Sequence, residues 1–207
     1  MIYAENVFIC MVIPLGIAAL FLKKGARSFC VALITGMVVC LLSAYVSGFF
    51  ADYYSYDTRS AALFITPVTE ELFILLSLLP PILLELAPET LLLIALGCGA
   101  GFATLENCCY LLNVGAEDLT FTLIRGIAVG VMHIICALLQ GSGLVLMRRR
   151  RLISVGGVLG VYAIAVTFHA SYNLLVSVSG TLSMIGYCLP VVSAALIWLA
   201  YHLKKKN

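Results

Sequence analysis

Long apolar runs separated by short polar breaks dominate this chain. They cover seven segments, at approximately residues 6 to 22, 28 to 50, 61 to 80, 90 to 112, 119 to 147, 152 to 177 and 181 to 203. A helix needs roughly 17 to 25 apolar residues to cross a bilayer, and each run is near or above that length. The pattern predicts an all-α, polytopic transmembrane bundle of about seven spans.

Composition supports a membrane protein and excludes an ordinary soluble domain. Of the 207 residues, 63% are hydrophobic and only 11% are charged, which is more hydrocarbon than a core of this size could bury. We find no internal repeat, linker or low-complexity tract, so residues 1–207 are predicted to form a single membrane-embedded domain. The eight cysteines lie in apolar runs without CxxC spacing, which indicates small buried hydrophobic residues rather than a disulfide or zinc framework.

Most of the basic residues are clustered beside the predicted spans, at 23–27, 148–151 and 204–206. Such clusters are retained on the cytoplasmic face and attract anionic lipid, so they indicate a bilayer partner rather than a nucleic-acid surface. Alternation from an external N-terminus places all three clusters and the C-terminus inside. It places residues 52–57 and 117–118 outside. The inner loop around residues 80–89 carries no cation and is the exception to this topology.

Several ionisable or amide side chains interrupt the predicted spans. Because a charged group near the centre of a membrane costs at least a few kcal/mol, such residues usually serve a function. Counting from the outer ends at about 1.5 Å per residue places most of them in one layer in the outer half of the bilayer, with Arg125 shallower. The set consists of Glu70, Glu71, Glu106, Arg125, His133, His169 and Asn173.

Each of these positions also has a simpler interpretation. Glu70 and Glu71 are adjacent on a helix and could clamp neighbouring helices together. Glu106 could belong to a proton or ion relay, and His133 could be a hydrogen-bonded core histidine. Asn173 follows His169 by four residues, so its amide shares a helix face with the imidazole.

Taken together, the residues predict hydrolysis by an activated water molecule. In one version, Glu70 or Glu71 takes a proton from water while histidine or Asn173 stabilises an oxyanion. In the other, Glu106, His133 and His169 fill three ligand positions around zinc and leave one position for water. The chain contains no HExxH motif, so both versions stay open.

Residues 101–110 have the sequence Gly-Phe-Ala-Thr-Leu-Glu-Asn-Cys-Cys-Tyr and follow the double glutamate. After them come Arg125, His133 and, at 168–173, the sequence Phe-His-Ala-Ser-Tyr-Asn. In order and spacing this resembles the PrsW family of bacterial intramembrane proteases, relatives of the CAAX-prenyl endopeptidase and bacteriocin-processing (CPBP/Abi) group. The resemblance implies a multi-pass peptidase of the bacterial cytoplasmic membrane. Its substrate would be a single-pass anti-sigma factor, cut at an extracytoplasmic site in an envelope-stress pathway.

One departure from this resemblance concerns the double glutamate. Family members usually carry a lysine or arginine one turn later, whereas residues 72–76 are apolar here. Either Arg125 supplies that cation from the fifth span, or the glutamates go without this partner. Functions from other classes are a catalytically inactive scaffold or immunity protein of the same fold and a proton-coupled transporter. The chain lacks the inverted halves that mark many transporters.

Overall fold

The computed structural model describes residues 4–114, 118–150 and 154–206. Glu117 and Arg151, which were used in the topology prediction, lie outside the described residues. Within them the chain is all-helical, as predicted. The eight helices are α1 (Ala4–Phe21), α2 (Lys24–Tyr53), α3 (Thr58–Phe64), α4 (Thr66–Leu83), α5 (Pro88–Val114), α6 (Leu119–Arg149), α7 (Val155–Val176) and α8 (Thr181–Lys206).

Six of the helices in these ranges, α2 and α4 to α8, are long and apolar enough to cross a membrane. The protein is therefore a multi-pass membrane protein. Helix α1 contains a shorter apolar stretch, Met11–Leu20, and its assignment as a seventh span stays a prediction. Large apolar side chains such as Leu196, Ile197 and Trp198 of α8 are exposed. In a bilayer these side chains face lipid.

The predicted span from 61 to 80 is wrong as a continuous helix, because the structure divides it at Ile65 into α3 and α4. Pro67 accounts for the interruption, since it has no backbone N–H to continue the hydrogen-bond ladder but is well tolerated in the first turn of a helix. Helix α3 starts at its own cap, where the Asp57 carboxylate accepts a hydrogen bond of 2.7 Å from the Ser60 amide. Glu70 thus lies in the first turns of α4.

Two glycines allow α2 and α5 to pack closely together. A methyl group built on Gly36 would lie 2.0 Å from the Cys98 carbonyl oxygen, and one on Gly101 would lie 1.9 Å from the Leu33 carbonyl oxygen. Only residues without a side chain allow the two backbones to approach this closely. This contact fixes α5, and with it Phe102, which is fully buried in the core.

The two ends of the bundle differ in chemistry. At one end, Arg27 donates to carbonyl oxygens at the end of α1, and Arg148 donates to the carbonyl oxygens of Ile82 and Leu86 at 3.5 and 2.6 Å. The loop around residues 80–89, which lacks a cation of its own, therefore receives one from α6. At the other end, aromatic rings from 49–64 pack together around the α2–α3 connection, as in an interfacial aromatic belt.

The cysteines only partly follow the prediction that all are buried. Cys30, Cys40, Cys98 and Cys136 are buried, but Cys188 is exposed on α8. In a bilayer a thiol is apolar enough to face lipid, so a cysteine in an apolar run need not be in the core.

Candidate active site

Helix α4 is held in place at the level of its two glutamates. The hydroxyls of Ser47 and Thr69 hydrogen-bond to each other across α2 and α4, and Tyr162 of α7 donates to the Val68 carbonyl oxygen at 2.7 Å. The α4 residues in these contacts, Val68 and Thr69, come directly before Glu70 in the sequence. Next to these contacts, Glu70 and Glu71 are both buried.

Glu71 connects three helices through its carboxylate. Its Oε2 accepts a hydrogen bond of 2.7 Å from Gln140 Nε2 on α6. Its Oε1 lies 2.9 Å from Nδ1 of His169 on α7. Because it has no exposed surface, Glu71 is suited to orienting its neighbours rather than to contacting a substrate.

Glu70 and the two imidazoles form a convergent group. One ligand atom from each of Glu70, His133 and His169 lies within 4.8 Å of the other two. Nε2 of His169 is 3.7 Å from Glu70 Oε2, and the two imidazole rings stand nearly perpendicular with centroids 5.0 Å apart. Phe102 packs against the His133 ring at 4.5 Å, so the motif that begins at Gly101 also supports the site.

Glu106 forms the more open wall of this group. Its Oε2 lies 2.6 Å from His133 Nε2, and Arg125 pairs with its Oε1 at 3.2 Å. The guanidinium also lies 3.5 Å above the Tyr110 ring, which favours a fixed cation. The Glu106 side chain is 30% exposed, compared with 10% for Glu70 and none for Glu71. Access to the site is therefore easiest beside Glu106.

The donor set is compatible with a metal ion. Two imidazoles and one carboxylate are a common set of protein ligands for catalytic zinc, and the fourth position is left for water. His133 Nδ1 is buried and has no hydrogen-bond partner among the described residues, which leaves it uncommitted. The converging carboxylate is Glu70, whereas the predicted ligand Glu106 lies beside the group, against His133.

Two of the predicted site residues have partners that the sequence did not indicate. Asn173 donates to the Ala62 carbonyl oxygen of α3 at 2.9 Å, so in this structure it joins α7 to α3, while His169 is held by Glu71. Arg125 reaches a glutamate, as expected for a cation in the membrane, but this glutamate is Glu106. It does not replace the missing cation beside the double glutamate.

The residue that sequence reasoning missed is Gln140. It is fully buried and donates to both the carboxylate and the backbone carbonyl of Glu71. A signal was present in the sequence, because Gln140 follows His133 by seven residues, or two helical turns on one face. It is also a strongly polar side chain within an apolar run, which is the kind of residue that membrane helices retain for a purpose.

Comparison with known proteins agrees with this geometry. Neither the curated proteins nor the solved structures contain a match to the chain. Residues 24–201, however, match the family described as PrsW family intramembrane metalloprotease. Because this range covers most of the chain and includes every residue of the site, the protein belongs to the PrsW family of intramembrane metalloproteases and is a membrane-embedded peptidase.

Proposed function

We propose that this peptidase hydrolyses one peptide bond of a single-pass membrane protein, of the anti-sigma factor kind, near its outer membrane boundary. The observation that carries the proposal is the buried convergence of Glu70, His133 and His169 within 4.8 Å. Such a group is costly inside a membrane, and ionisable residues there usually serve a function. The host membrane in this proposal is the bacterial cytoplasmic membrane.

We assign the metal-holding role to Glu70, His133 and His169. A zinc ion bound there would polarise the scissile carbonyl and activate a water molecule. Glu106 is then the carboxylate placed to accept the proton of the attacking water and return it to the leaving amine, because it is partly exposed and held by His133 and Arg125. In a metal-free reaction Glu70 takes the proton instead. Glu71 positions the site in both versions.

The arrangement of the bundle supports cleavage on the outer side. The site lies toward the ends of α4 to α7 that face α3, since Asn173 contacts Ala62 and Arg125 contacts Glu106. The cationic contacts made by Arg27 and Arg148 lie at the opposite helix ends. Under the positive-inside rule the cationic end is cytoplasmic, so we propose an external N-terminus, a cytoplasmic C-terminus and α1 as a seventh span.

The substrate must lose helical structure at the site. Inside a helix the peptide carbonyl is occupied by a backbone hydrogen bond, and an extended segment is tolerated only where protein or water satisfies its polar groups. The polar site beside Glu106 offers such a place. A cut there would leave a membrane-embedded stub of the substrate for a second protease.

The test uses purified protein in proteoliposomes with candidate single-pass substrates, with and without a chelator, and mass spectrometry of the product termini. We expect Glu70→Gln and Glu106→Gln to abolish cleavage, while Glu89→Gln, an exposed glutamate in the first turn of α5, leaves it unchanged. Activity that survives removal of all bound metal would support the metal-free version. Normal cleavage by Glu70→Gln would refute the assignment.

Other outcomes separate the competing functions. Folded protein without cleavage but with proton-coupled flux in the same liposomes would identify a transporter. A cut mapped to the cytoplasmic side would contradict the proposed topology or the proposed site, and the accessibility of tags at residues 1 and 207 would show which.

A further inference from the structure

We propose that Gln140 is a positioning residue of the site, which fixes Glu71 and through it presents Nε2 of His169 to the reaction centre. This inference rests on the proposed function, because only a catalytic site needs Nε2 of His169 in this position. The hydrogen bonds themselves do not depend on the proposed function. Gln140 Nε2 lies 2.7 Å from Glu71 Oε2 and 3.3 Å from the Glu71 carbonyl oxygen. Gln140 and Glu71 are both fully buried.

The orientation of these hydrogen bonds determines which atoms carry protons. An amide nitrogen can only donate, so Glu71 Oε2 acts as an acceptor toward Gln140. The other carboxylate oxygen faces His169 Nδ1 at 2.9 Å, and a carboxylate there favours a proton on Nδ1. The neutral imidazole then carries a lone pair on Nε2, because the carboxylate oxygen that this nitrogen faces, Glu70 Oε2, is 3.7 Å away and so beyond hydrogen-bond distance.

This lone pair is what the site requires from His169. An imidazole binds a metal ion, or accepts a hydrogen bond from water, only through an unprotonated nitrogen. Outer carboxylates that hold the opposite ring nitrogen set the tautomer and the ring orientation in many metal sites. Gln140 extends that arrangement by one residue, because it prevents the Glu71 carboxylate from rotating away from His169.

A purely structural role is the alternative, since Gln140 also joins α6 to α4. The chain offers a matched control for that role. Tyr162 joins α7 to α4 through a hydrogen bond of 2.7 Å to the Val68 carbonyl oxygen rather than to the Glu71 carboxylate. Tyr162→Phe should therefore lower the unfolding temperature without changing His169, whereas Gln140→Met should change His169 as well.

The experiment reads the tautomer of His169 directly by nitrogen NMR of the full chain in detergent, with metal removed and histidine selectively labelled. The chain has only three histidines, and His169→Asn assigns the signal. We expect the wild type and Tyr162→Phe to show a single tautomer with the proton on Nδ1. In Gln140→Met, which keeps the length of the side chain but removes the donor, we expect both tautomers. Gln140→Glu, which replaces the donor with an acceptor, should show the larger change.

Kinetics on the same variants supply the second readout. Loss of an outer partner of a metal-binding histidine typically costs about 10- to 100-fold in activity or metal affinity. We expect Gln140→Met to lower kcat within that range with KM nearly unchanged, because Gln140 is buried behind Glu71 and does not face the substrate. A loss confined to KM, or equal losses in Gln140→Met and Tyr162→Phe, would contradict a positioning role.

The tautomer measurement also separates this inference from the proposed function. A wild-type protein with His169 protonated on Nε2 would overturn the inference even if every Gln140 variant failed to fold. An unchanged tautomer in folded Gln140→Met would overturn it as well. Wild-type protein without proteolytic activity, but with the expected tautomers, would refute the proposed function and leave the role of Gln140 standing.

Discussion

Substituting Gly101 by alanine tests whether the close packing of α2 on α5 sets the geometry of the site. The added methyl carbon would lie 1.9 Å from the Leu33 carbonyl oxygen, whereas an ordinary contact starts at 3.4 Å. The two backbones must therefore separate locally by about 1.5 Å. The obstacle is backbone rather than a flexible side chain, so neither helix can avoid this movement by changing a rotamer.

The expected cost follows from two opposing terms. Overpacking of this kind destabilises by about 1 to 3 kcal/mol, and alanine in a helix offsets about 1 kcal/mol of that relative to glycine. The effect on activity should be larger. Phe102, the next residue, packs on His133. Glu106 follows Gly101 by five residues, or about 7.5 Å along the axis of α5. A shift of 1 Å in a catalytic group can cost roughly 100-fold.

The assay compares cleavage rate and unfolding temperature with those of Gly48→Ala. Gly48 lies in α2, and a methyl group there would meet nothing within 4 Å. This control should keep full activity and gain up to about 1 kcal/mol of stability from helix propensity. If Gly101→Ala matches Gly48→Ala in both measurements, the packing argument is wrong.

Three further predictions follow from other contacts. Arg125→Ala should lower the cleavage rate roughly tenfold or more, because it removes the ion-pair partner of Glu106. Arg149→Ala is the control and should leave the rate unchanged. Equal rates for the two variants would show that the Arg125 side chain only extends to the membrane interface. The Ser60 amide holds the pKa of Asp57 below its ordinary value. The stability that this cap contributes is therefore present above the ordinary pKa and lost as the pH falls through the lowered pKa. In thermal unfolding measured against pH, Asp57→Ala should lack this pH-dependent loss of stability. Tyr162→Phe should cost about 1 kcal/mol of stability in chemical unfolding and reduce activity less than Gly101→Ala does.

Much of the site was visible in the sequence because polar residues are rare in membrane helices. Glu70, His133 and His169 stood out as ionisable residues in apolar runs, and the structure places them together although they come from three helices. Gln140 also interrupts an apolar run, but an amide is less costly to bury than a charge and is therefore a weaker signal of function in the sequence. The sequence suggested Arg125 as the cation for Glu70 and Glu71, whereas the structure pairs it with Glu106, because the partner depends on helix rotations that the sequence does not give.

The sequence by itself determined the class of the protein, the approximate helices and the set of chemically active side chains, because the length of apolar runs and the cost of buried charge act locally along the chain. Only the tertiary structure decided which carboxylate joins the two imidazoles, which one orients them, and where the helix that carries the double glutamate begins. These depend on the rotation and separation of the helices, which close contacts such as that between Gly101 and Leu33 determine. Contacts of this kind join residues far apart in sequence, so no local pattern encodes them.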